Sequence, residues 1–165
     1  MEFYSGKYGK DKRKAVADFG QFDTIAYTTG DILSSSAVSF GSMARAVGMS
    51  GNMVRVILKE TLSSGTLQKP SLRLWFFGAS VTPAARNSPQ AFTSSQLDVL
   101  LGVANVLNTE WIDCGTGVAS LDKAIDIPYV LQTNSSTIFC VPEVRAAYTF
   151  NSTDRIVMQL VSEVD

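Results

Sequence analysis

The 165-residue chain contains no histidine. This removes Ser-His-Asp and Cys-His nucleophilic catalysis, the usual zinc and iron ligand sets, and the commonest acid–base residue. Cysteine is nearly as scarce, with Cys114 and Cys140 the two present. They are too few for a disulfide scaffold and are not spaced as C-x-x-C. Each falls in a stretch that reads as a buried strand, where a free thiol behaves as a small hydrophobe. No apolar run approaches the roughly 20 residues that span a bilayer, and Met1-Glu2-Phe3-Tyr4 lacks the apolar core of a signal peptide. The expectation is synthesis in a reducing cytoplasm and no membrane partner. Phosphate loops are missing as well: neither G-x-x-x-x-G-K-[ST] nor a G-x-G-x-x-G after a strand occurs. No cofactor or metal is implied.

What is present suits one globular domain. A chain of this length buries roughly 70% of its unfolded surface without disulfides or metal, and 45% apolar with 18% charged residues is a globular balance. The net charge of −1 conceals an asymmetry. Residues 1–14 hold Lys7, Lys10, Lys12, Arg13 and Lys14 against two acids, a local +3 that leaves −4 for the remainder. Residues 1–20 therefore read as a basic, extended N-terminal arm, weakly structured when free, and residues 21–165 as the folded domain. The arm reads either as a solvated, mobile tail or as a segment that orders against an acidic neighbouring protein subunit. Nucleic acid is disfavoured as its partner, because the acidic body would repel what the arm attracts.

Along the body, short strands are punctuated by Gly, Ser, Thr and Pro. The clearest signal lies between Gly51 and Gly78. Val54, Val56, Leu58 and Leu62 share one parity against Arg55, Lys59 and Thr61; Leu72, Leu74 and Phe76 share another against Arg73, Trp75 and Phe77. Strand side chains alternate faces, so each set of aliphatics defines a buried face. Ser63-Ser64-Gly65-Thr66 supplies turn chemistry, and Pro70 interrupts pairing. Further strands are expected at Asp23–Leu33, Ala37–Val47 (weakly), Glu110–Cys114, Lys123–Leu131, Thr137–Val144 and Asp154–Val164, with Pro128 marking an edge or a bulge. Ser80–Phe92 reads as a polar surface loop. Residues 93–107 read as a helix: Leu97, Leu100, Leu101, Ala104 and Leu107 recur at helical spacing, and Thr93 with Gln96 has the spacing of a capping box. Seven or eight strands with one inserted helix, about residues 94–107, predict a mainly β fold, an antiparallel β-sandwich of jelly-roll type.

Candidate chemistry is sparse. Asp122 and Asp126, with Asp113 nearby, are the nearest to a carboxylate pair for glycoside hydrolysis, but they read as solvated loop and turn acids and lack calcium-loop spacing. No catalytic residue is assigned. Trp75, Phe77, Trp111 and Tyr129 are the candidate interface residues: exposed, they form an apolar patch or a sugar platform; covered on both sheet faces, they are a second core layer. Asn134-Ser135-Ser136 and Asn151-Ser152-Thr153 match the glycosylation acceptor pattern.

The series Val54-Arg55-Val56-Ile57-Leu58-Lys59, then Leu72-Arg73-Leu74-Trp75-Phe76-Phe77, followed by Thr82-Pro83, Leu97-Asp98-Val99-Leu100, Trp111-Ile112-Asp113 and Ile127-Pro128-Tyr129, resembles small virion proteins of tailed bacteriophages. The resemblance spans residues 25–163 and does not cover the basic arm. It implies a non-enzymatic β-sandwich, a capsid decoration or cement protein on the virion surface. Its partners would be the major capsid protein or other virion subunits and further copies of itself, as a trimer or dimer. The competing expectations are a carbohydrate-binding, host-adhesion module on a virion, with Trp75, Trp111 or Tyr129 as its platform, and a tail-associated structural protein.

Overall fold

The computed structural model describes residues 11–44, 46–63 and 65–164. Its strands are β1 (Asp11–Asp18), β2 (Val38–Phe40), β3 (Ser50–Thr61), β4 (Leu72–Phe77), β5 (Leu100–Val106), β6 (Ile112–Gly115), β7 (Val118–Val130), β8 (Ile138–Val144) and β9 (Arg155–Val164), with one helical turn, α1 (Ser94–Leu97), before β5. Pairing is antiparallel and nested: β1 with β9, β2 with β8, β3 with β7, β4 with β5. The chain is thus one long antiparallel ribbon with the β4–β5 connection at its tip, folded so that successive pairs fall in opposite sheets. Lateral pairing of β9 with β3 and of β8 with β4 closes the wrap. The resulting orders, β1-β9-β3-β7-β6 and β2-β8-β4-β5, are those of a jelly roll with β6 added at one edge. The expected β-sandwich is the observed fold.

Between the sheets, Val56 and Leu58 of β3, Leu72, Leu74 and Phe76 of β4, Ile138 and Cys140 of β8, and Ile156, Met158 and Leu160 of β9 form one buried cluster. The parity expected for β4 and β9 holds. In β3 it holds only from Val56 onward. Both ladders of β3 slip between Met53 and Arg55: Val54 is an extra, bulged residue relative to β9, whereas β7 has two residues there to the one of β3, and Val54 is only half-buried. Met53 takes the inward place instead, fully buried. Pro128 lies where β7 has run past the end of β6, an edge position that needs no ladder donor.

Four expectations require correction. Residues 94–107 are not a helix. Thr93 and Gln96 do form the reciprocal capping box, but it closes a single turn, after which the chain pairs with β4 as β5. Gly102 and the β-branched Val99, Val103 and Val106 disfavour the helix that the leucine spacing suggests, and β4 needs a partner on that side. Leu97 and Leu107 are accordingly exposed, and Gly102 fits where a Cβ would come within 2.7 Å of Ile127. Part of the arm expected over residues 1–20 is paired into the fold. Asp11–Asp18 form β1, in unbroken register with β9, and Phe19 is buried; Lys7 and Lys10 lie outside the described residues, as does Ser64 of the expected turn. Asp23–Leu33 is an irregular crossing held by isolated bridges at Tyr27 and Ile32, bent where Asp31 accepts from the Thr28 N–H (2.6 Å) and hydroxyl (3.0 Å). Lastly, Cys114 is exposed, because no second layer among the described residues covers the β6 hairpin, whereas Cys140 is buried as expected. Burial drives the Cys140 thiol pKa far upward. Ellman's reagent should titrate one thiol of the native protein, Cys114, and the second only after unfolding.

One polar feature interrupts the core. Glu60, on the inward face of β3, and Asp154, just before β9, are both fully buried. Glu60 sits opposite Ile156, which places Asp154 as its diagonal neighbour on the same face. Glu60 clamps the β3–β4 connection, accepting the Gln68 and Lys69 N–H groups at 2.7 Å each. Asp154 accepts the Asn151 N–H at 2.7 Å through Oδ2, but its Oδ1 has no partner among the described residues. Burial raises both carboxyl pKa values, and the Asp154 charge raises Glu60 further, against the two backbone donors and Lys69. A carboxyl raised on folding lends its stability below the unfolded pKa and loses it as pH climbs through the folded value. Asp154→Asn removes the unpartnered charge. It should raise the melting temperature at pH 7 by roughly 2–4 °C, the shift that about 1 kcal/mol produces in a domain of this size. That advantage should shrink as the pH is lowered and the native carboxyl protonates.

Candidate functional site

The four sequence-selected aromatics do not form one surface. Trp111 is buried, donating from Nε1 to the Pro70 carbonyl at 3.1 Å. Tyr129 is buried; its hydroxyl donates to the Met43 carbonyl at 2.7 Å and lies 3.2 Å from the Ser162 Oγ, which also reaches Met43 O, at 2.9 Å. Both are core residues whose polar ends found backbone partners. Phe77 is fully buried with Ile32, Val81 and Val141 in a second, smaller core on the outer side of the four-stranded sheet. The cover there is the segment between β4 and α1, which sends in Phe92, with its ring 5.2 Å from Phe77.

Trp75 alone of the four reaches a cleft. Its ring meets Phe92 edge-on at 5.1 Å, and the two line a hollow of about 570 Å³ with Arg73, Gln90, Leu97 and Leu100. Strand parity sets this up. Arg73, Trp75 and Phe77 share the outward face of β4, and Arg73 stands directly across from Glu143 of β8. Glu143 is buried to 5% exposure and organises the wall. Its Oε2 accepts Trp75 Nε1 at 2.8 Å and its Oε1 accepts Arg145 Nη1 at 2.9 Å, with Arg73 Nη1 at 3.8 Å. The Arg73 guanidinium lies 5.4 Å from the centre of the Trp75 ring, a cation–π contact that occupies one ring face. Sequence reasoning found Trp75 but missed Arg73, Phe92, Glu143 and Arg145. The available signal was one acid, Glu143, within the apolar run Ile138–Val144, a place where a charge requires partners.

The acids considered for catalysis are dispersed. Asp122 pairs with Arg55 at 3.2 Å, Asp113 with Lys69 at 2.7 Å, and Asp126 accepts from the Asn52 side chain. Each is exposed and engaged with a different partner. Among the described residues no group of three metal-ligating side chains is present, and no helix is long and apolar enough to cross a membrane.

Of the five sequence-selected cations, Lys12, Arg13 and Lys14 lie in β1, the outermost strand of the five-stranded sheet. Arg13 pairs with Asp11 at 3.0 Å. Lys12 and Lys14 are exposed on the sheet's outer face, where they border a shallow basin of about 290 Å³ with Arg55, Ile57, Gln159, Val161 and Glu163. Lys12 lies 3.6 Å from Glu163.

No protein-family model matches the chain, and no curated protein matches it. Among solved structures, a chain in the structure of black queen cell virus is similar over 94% of this chain and 70% of that one, at 6% sequence identity and a TM-score of 0.27. The jelly-roll assignment rests on strand order and register.

Glu143 holds three cationic or N–H donors in a half-covered wall, so its removal strands Arg73, Arg145 and the Trp75 N–H together. Glu143→Ala should lower the unfolding free energy by about 2 kcal/mol in urea titration, and increase acrylamide quenching of Trp75 fluorescence.

Proposed function

We propose that the chain is a non-enzymatic structural subunit of a virus particle and, more specifically, a decoration or cement protein on the capsid surface of a tailed bacteriophage. The observation that carries this reading is where the basic N-terminal stretch enters the fold. It runs into an outermost strand of a jelly roll, which presents Lys12 and Lys14 beside exposed Val16 on an open sheet face. Cations next to apolar surface at a sheet edge suit lateral contact with an acidic protein surface. Jelly rolls recur in viral capsids, a fold-level analogy that raises the expectation without assigning the role. In this reading the major capsid protein is the partner, many weak contacts multiply over a repetitive shell, and self-association is part of the assembly.

A second reading, a glycan-binding adhesion module, draws on the Trp75–Phe92 cleft. Sugar stacking needs a bare ring face, and the Arg73 guanidinium takes one side of Trp75.

Co-sedimentation with empty capsids separates the two. The structural reading expects shell binding that weakens as salt rises, that drops at least about tenfold in Lys12→Glu/Lys14→Glu, and that survives Trp75→Ala. Glycan-array retention that is lost in Trp75→Ala, with no capsid binding, would overturn it.

A further inference from the structure

The described strands present four sheet edges, and three are blunted. β2 has three residues; β6 has four and a register shift; β5 is interrupted by a bulge opposite Phe76 and Phe77. Shortness and bulges are ordinary protections against strand-to-strand association. β1 differs, since it runs eight residues in unbroken register with β9. From Lys12 to Asp18 its other edge makes no backbone hydrogen bond to any described residue. Its protection is electrostatic, and the arrangement of its charges is selective.

We propose that β1 pairs with β1 of a second copy of this chain, antiparallel about a two-fold axis at Ala15, joining two five-stranded sheets into one of ten strands. The register follows from the charges. Lys12, Lys14, Val16 and Asp18 share the outer face, and directly opposed residues of an antiparallel pair lie on the same face. An axis at Ala15 sets Lys12 against the partner's Asp18 and Lys14 against the partner's Val16, with Arg13 against Ala17 on the inner side. Both ends then carry opposite charges. Since Lys12 already faces Glu163 (3.6 Å) and Asp18 faces Arg155 (3.3 Å), each end becomes a row of alternating sign across the interface. An axis at Lys14 opposes Lys14 to itself, and one at Arg13 opposes Arg13 to itself and Lys12 to Lys14; like charges directly opposite are destabilising. An axis at Val16 keeps Lys14 against Asp18 but shortens the paired stretch to residues 14–18. The Ala15 register pairs residues 12–18 and covers Val16, which is 63% exposed in the single chain.

This deepens the structural-subunit reading by naming a surface for self-association, yet it is tested on purified protein without capsids. Failure here leaves shell binding untouched, and the converse also holds. Sedimentation equilibrium over a dilution series should show a monomer–dimer equilibrium. Val16→Lys sets two Lys–Lys pairs across the interface and should raise the dissociation constant at least about tenfold. Val16→Glu sets two Lys–Glu pairs there and should lower it. Far-UV circular dichroism and melting temperature of both variants should match the parent, since Val16 is an exposed position. Register is read by disulfide trapping in a Cys114→Ser background. A mixture of Lys14→Cys and Val16→Cys chains should cross-link, and neither chain alone should. A monomer at all concentrations, equal shifts in the two Val16 variants, or cross-linking of Val16→Cys with itself would overturn the proposal.

Discussion

The bulge at Val54 is the constraint on which the sandwich depends. β3 is the central strand of the five-stranded sheet, and it must keep its face toward the core along twelve residues while pairing on both sides. A one-residue slip in a strand exchanges its faces. Both ladders slip at the same place but in opposite senses: between Met53 and Arg55, β3 has one residue more than β9 and one fewer than β7, so both neighbours keep their parity while β3 changes its own. As a result Gly51 and Met53 on one side of the bulge, and Val56 and Leu58 on the other, all point inward. Without the insertion, one half of β3 would turn its aliphatics to water. At roughly 25 cal/mol per Å² of apolar surface, exposing even two such side chains costs several kcal/mol, comparable to the whole stability of a domain.

What lies at the near end of that strand is equally dependent on it. The inward Gly51 leaves space that a Cβ would take from the Tyr129 hydroxyl and the Glu163 carbonyl, each 2.6 Å away. Tyr129 can therefore reach Met43, and with Ser162 it anchors the segment after β2. At the far end, inward parity brings Glu60 rather than an aliphatic residue. Glu60 gives the β3–β4 connection its two backbone hydrogen bonds, and so fixes how the chain leaves one sheet for the other. Packing at one end and a buried carboxylate at the other both follow from a single parity.

These facts mark the limit of what was legible in the residues. The alternation of β9 and the shared parity of Leu72, Leu74 and Phe76 in β4 made their buried faces readable, and with them the sandwich class, while β8 read as an apolar run. A bulge has no such signature, because Val54 is as apolar as the residues that are inward. The leucines at 97, 100, 101 and 107 fit a helical stripe and a bulged strand almost equally well, and the unmet ladder of β4 decides between them. Trp111 and Tyr129 are side chains with polar tips; whether the tip finds a carbonyl inside or water outside depends on contacts tens of residues away, Pro70 and Met43 here. The Glu143 cluster was partly visible, since Arg73 and Trp75 share a parity, but their common partner comes from another strand.

The two outer faces of the sandwich are consequently unlike. Behind β4 and β8 the outward aromatics demanded cover, and the segment between β4 and α1 supplies it, leaving a cleft only where Arg73 and Glu143 keep polar groups at the surface. Among the described residues the five-stranded sheet has no such cover. Its outward rows alternate charge with aliphatic residues: Lys12 and Glu163, then Lys14, Val161 and Arg55, then Val16, Gln159 and Ile57. Val161 at the middle of this face is itself buried, whereas Val16 on the outermost strand is open to solvent. A covered face gains rigidity and gives up contact area, whereas a bare mixed face keeps contact area available. In this molecule the bare face is also the one whose outermost strand receives the basic N-terminal stretch, so charge, exposure and chain connectivity converge on the same side.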